Sequence, residues 1–93
     1  MINLPKPLIV GISEYSFAYD NTLYDLHNEW GLTDIEKKAV RIAPEAQDTN
    51  FTDTVVHELL HAITAEWLPK SGSLTEAQVT MLAHGLTQIL NPL

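Results

Sequence analysis

The sequence predicts an α+β fold. Two β-branched runs lie within residues 8–44, and two stretches with helical apolar spacing follow them. The order strand, short element, strand, helix, helix keeps the two kinds of structure apart along the chain. Residues 1–93 are expected to form one domain, without internal repeats or low-complexity tracts.

Pro5 and Pro7 hold the first residues extended. Leu8 to Ile12 reads as a strand that continues through Tyr15 to Tyr19, with Tyr15, Phe17 and Tyr19 on one side and Gly11 marking a bulge or bend. Asp20-Asn21 signals a turn. Leu23, Leu26 and Trp30 fit a short helix with Gly31 at its C′ position, and Leu32-Thr33-Asp34 reads as a turn. Lys38 to Pro44 is the second strand, closed by its proline, and residues 45–51 are polar loop.

A helix then starts from an N-cap at Asn50 or Thr52 and runs to about Trp67, since Pro69 cannot continue it. Val56, Leu60, Ile63 and Trp67 form its apolar stripe, widened by Leu59. Lys70-Ser71-Gly72 connects to a final helix opened by a capping box, Ser73-Leu74-Thr75-Glu76. That helix reaches about Leu90 on an apolar face of Val79, Leu82, Ala83, Leu86, Ile89 and Leu90, and Asn91-Pro92 stops it.

Twelve acidic and five basic residues give a net charge of −7, and Lys37, Lys38 and Arg41 are the only cationic cluster. Nucleic acid is therefore not an expected partner. The longest apolar runs are too short to cross a bilayer, and the N-terminus lacks the features of a secretory signal. These observations predict a soluble, cytoplasmic chain. Without cysteine, any bound zinc must be held by histidine and carboxylate. In so small a core a bound metal would contribute to folding as well as chemistry.

The stretch that carries chemistry is His57-Glu58-Leu59-Leu60-His61. Histidines four apart on a helix lie about 40° apart around its axis, so both imidazoles reach one cation. The pattern H-E-x-x-H supplies two zinc ligands, here His57 and His61, and a general base, here Glu58. A third protein ligand would leave a coordination position for water.

Several residues compete for that third place. Glu66 lies on the opposite side of the helix from His57. The elongated motif that adds a glycine and a third histidine is excluded, because Thr64 and Trp67 occupy those positions. In the final helix Glu76 lies nearer the apolar face than His84, which favours Glu76 as ligand and leaves His84 as a surface residue. The alternative for Glu76 is completion of the capping box with Ser73. His84, Asp53 and His27 are the fallback ligands.

Together with Trp30-Gly31-Leu32-Thr33-Asp34, Thr54 ahead of the two histidines, Glu76, and Asn91-Pro92, this pattern resembles the small zincin-like metallopeptidases of bacteriophages and prophages, of the Glu-ligand type. The resemblance covers residues 30–92 and is specific only in its five-residue core. It implies a minimal zincin-like domain, with a small antiparallel β-sheet packed on an active-site helix and a C-terminal helix. It also implies a zinc-dependent peptide hydrolase acting on a peptide or protein substrate, in a host cytoplasm if phage-encoded. Zn2+ on His57, His61 and Glu76 would lower the pKa of its water, and Glu58 would take the proton as hydroxide attacks. Ala39 to Ala43 would be the strand that offers an edge to the substrate. No oxyanion-stabilising group is assigned by motif; Tyr15, Tyr19, Tyr24 and His84 are the candidates. Two rival readings are a non-catalytic zinc protein, with a structural or interaction role, and a metal-free interaction module.

Overall fold

The computed structural model describes residues 2–68 and 74–90. It shows an α+β arrangement in which a small mixed sheet packs against helices. Strand β1 (Leu8–Val10) pairs antiparallel with β2 (Ser13–Tyr19), in the register Leu8 to Tyr15 and Val10 to Ser13. Only Gly11 and Ile12 join them. Gly11 has φ +64°, a conformation that costs glycine little and allows so tight a turn. The single long strand expected over residues 8–19 is thus a hairpin.

After β2 comes the short helix α1 (Thr22–His27), started by Asp20, whose Oδ1 accepts from the Thr22 amide at 2.9 Å. It ends at Asn28, which takes the left-handed conformation (φ 54°) where Gly31 was expected to serve. Gly31 instead opens β3 (Gly31–Asp34), the stretch read as a turn, and β3 pairs antiparallel with β4 (Ala39–Ile42). Strand β4 also pairs parallel with β2, from Ser16–Ala39 to Tyr19–Ile42. The strand order β1-β2-β4-β3 makes the sheet mixed, correcting the antiparallel expectation. It also places β4 in the interior, so Ala39 to Ala43 offers no edge; β1 and β3 are the edge strands.

Residues Pro44–Asp48, expected as loop, form a 3₁₀ helix that leads into α2 (Phe51–Trp67), with Asn50 as its N-cap. The core lies between the sheet and α2. Alternation along β4 buries Val40 and Ile42, which meet Tyr15, Ala46, Val55 and Ala62. The buried face of α2 is Val55, Glu58 and Ala62 with Thr54 and Val56, rotated from the expected stripe; Ile63 and Trp67, the latter 67% exposed, lie outside it. Glu66 fastens α2 to the hairpin on the other side. Its carboxylate accepts from Tyr15 Oη at 2.9 Å, Ser13 Oγ at 3.1 Å and Lys38 Nζ at 2.8 Å. Lys38 and Tyr15 hold the Glu66 carboxyl below its usual range, and the bond gives Tyr15, buried among apolar groups, a partner for its hydroxyl.

Helix α3 (Glu76–Leu90) packs along α2 and buries only Val79 and Ala83 of the face expected for it. With one principal neighbour, a helix covers only a narrow strip. Pro69, the Lys70-Ser71-Gly72 connection, Ser73 and the Asn91-Pro92 stop lie outside the described residues. Among the described residues no helix is long and apolar enough to cross a membrane.

Gly31 marks the tightest approach of sheet to helix. A Cβ there would lie 2.8 Å from Glu58 Cγ and 3.1 Å from Thr54 Cγ2, so β3 could not keep its place over α2. Gly31→Ala is expected to lower unfolding stability by about 1–3 kcal/mol through overpacking. Urea denaturation followed by circular dichroism checks it, and an unchanged midpoint would show that the two elements are not in tight contact.

Candidate metal centre

Two helices bring the cluster together. His57 and His61 stand one turn apart on α2, and the first residue of α3 delivers Glu76. The structure also settles how α3 begins. Thr75 Oγ1 accepts from the Gln78 amide at 3.1 Å, while Gln78 Oε1 accepts from the Thr75 amide at 2.9 Å. This reciprocal capping box sits two residues after the one expected at Ser73, which lies outside the described residues, and it is made without the Glu76 side chain.

His57 Nε2 lies 2.7 Å from Glu76 Oε1, His61 Nε2 lies 3.1 Å from Glu76 Oε2, and the two Nε2 atoms are 3.2 Å apart. One ligand atom from each of the three residues falls within 4.8 Å of the others. Such a set can chelate a divalent cation. A central cation would take one lone pair from each of the three residues. Tetrahedral zinc, with bonds of about 2.0–2.1 Å, sets its ligand atoms about 3.3–3.4 Å apart, so the His57–Glu76 contact of 2.7 Å would open by about half an ångström and the other two by less.

Glu58 is not a member of this cluster. It is 6% exposed in a cleft that Thr33, His57, His61 and Glu76 also line, and its Oε1 accepts from Thr33 Oγ1 at 2.7 Å. Burial pushes its carboxyl above the usual range, against the opposing pull of Thr33 and of the two histidines. The oxyanion candidates do not complete a catalytic set either. Tyr15 bonds Glu66, Tyr19 Oη donates to the Ile2 carbonyl at 2.6 Å, and Tyr24 stacks on Trp30 at 4.7 Å. None of these tyrosines lines the cleft. His84 does, but its Nδ1 is paired with Asp53 Oδ2 at 2.6 Å, a second clamp between α2 and α3. Thus the fallback ligands Asp53 and His84 meet each other, and neither belongs to the cluster; His27 ends α1 and is not in it either.

Compared with family models, with curated proteins and with solved structures, the chain matches none. The expectation drawn from resemblance is corrected here. The structure assembles a loose His57–His61–Glu76 cluster, on separations of four and fifteen residues, and does not arrange it as a catalytic H-E-x-x-H site. With that go membership of the phage zincin-like peptidases, the assignment as a hydrolase and the catalytic part of the mechanism. The signal that was missed is the pair Gly31 and Thr33. A glycine and a hydroxyl two apart on one strand leave room for a carboxylate and hold it.

A buried acid whose folded-state pKa is raised costs stability once pH exceeds its unfolded value, and the cost is complete above the folded value. Glu58→Gln keeps an acceptor for Thr33 and removes that cost. Metal-free Glu58→Gln is therefore expected to melt at or above the native temperature at pH 8, with the difference vanishing at acid pH. Scanning calorimetry at the two pH values checks the sign; a lower midpoint at pH 8 would contradict the reading.

Proposed function

We propose that the chain is a non-catalytic metal-binding protein in which zinc, held by His57, His61 and Glu76, has a structural or interaction role. The observation that supports this is the meeting of two imidazoles from α2 with a carboxylate from α3. Two imidazoles and a carboxylate, without thiolate, suit zinc. A cation there fastens the two helices across their seam, and a binding site that exists only when the helices are docked makes metal affinity part of folding stability.

The test uses untagged protein, metal analysis and thermal melts with zinc or a chelator. One zinc per chain is expected. At a free concentration one hundred times Kd, zinc should stabilise the fold by about 2.7 kcal/mol. For a domain of this size each kcal/mol raises Tm by about 4–8 °C. His57→Ala and Glu76→Ala should each lose most of that rise, whereas Glu58→Gln should retain it. A melt indifferent to zinc, or a zinc response that survives both alanine variants, would overturn the proposal.

A further inference from the structure

The outer side of α3 is an apolar stripe without a partner among the described residues. Met81, Gly85 and Ile89 follow at i, i+4 and i+8, about 140° round the helix from the buried Val79 and Ala83. Met81 is 71% exposed and Ile89 73%, and the half-exposed Leu82 and Leu86 flank the row. Glycine in the interior of a helix is unfavourable, so its presence calls for a reason. At Gly31 the reason is Glu58. At Gly85 there is none among the described residues, where a Cβ built at that position meets no atom within 4 Å. A bare backbone at the middle of an exposed i±4 ridge is what close approach by a second helix requires.

Charge indicates which helix. Ala77 to Leu93 is the longest stretch of the sequence without Asp, Glu, Lys or Arg, in a chain of net charge −7. A two-fold interface sets each face against itself, so an acidic face would repel its copy. This face carries no such charge, and it offers no charged group by which an unlike partner could be chosen. We propose that the chain forms a two-fold dimer through α3, crossing at Gly85, with Met81 and Ile89 of each copy packed beside the crossing. The proposal does not depend on the metal.

The experiment is light scattering with size exclusion over a dilution series, on the native chain and two variants. Gly85→Leu puts a side chain into the crossing, while its Cβ meets no atom of the described residues within 4 Å and a good helix former replaces a poor one. Met81→Glu places like charges across the two-fold axis at a fully accessible position. The native chain should show a dimer that dissociates on dilution. Both variants should be monomers at every concentration, with native circular dichroism, and Gly85→Leu should melt no lower than the native monomer. A native chain that is monomeric throughout would overturn the proposal and leave the stripe to a foreign partner. So would a dimer that persists in both variants, since association would then lie elsewhere.

Discussion

Two imidazoles from α2 and a carboxylate from α3 meet in one space. Everything that positions α3 converges there. Val79 and Ala83 give the α2–α3 seam a narrow apolar strip, and the His84–Asp53 pair closes one end of it. The other end is closed by His57, His61 and Glu76, which meet at 2.7, 3.1 and 3.2 Å. The Thr75–Gln78 capping box supports this arrangement. It satisfies the Thr75 and Gln78 amides with the side chains of those two residues, while the carboxylate of Glu76 reaches across the seam to the histidines.

The rotation of α2 about its own axis is fixed from the opposite side. Gly31 lets β3 approach the helix, Glu58 fills the space, and Thr33 donates to the Glu58 side chain. Glu66 completes the hold through Tyr15, Ser13 and Lys38 on the hairpin side. With Glu58 turned to β3 and Glu66 to the hairpin, the histidines face the remaining side, where α3 lies. The acid between the two histidines thus acts as a packing wedge that aims its neighbours.

Much of this was legible in the residues, because it rests on local periodicity. Both long helices lie close to where their apolar spacing and caps put them, and β4 lies where its β-branched residues do. Helix geometry favoured Glu76 over His84 beside the two histidines, with completion of a capping box as its alternative. What escaped was non-local. The split of the first strand depends on a two-residue turn at Gly11. The polar stretch Leu32-Thr33-Asp34 becomes a strand only because β4 offers it a ladder. The parallel pairing of β2 with β4 has no short-range signature at all. The apolar stripe of α2 was misplaced for a related reason: spacing reports that a helix has an apolar side, whereas the shape of the sheet decides which residues are covered.

X-ray absorption at the zinc K-edge, on protein loaded with one equivalent of zinc, reads the ligand set itself. A low-coordinate shell of nitrogen and oxygen at about 2.0–2.1 Å is expected, with outer-shell scattering from two imidazoles. Glu76→Ala should alter that shell while keeping both imidazoles. A shell with no imidazole contribution, or one unchanged by loss of Glu76, would contradict that ligand set.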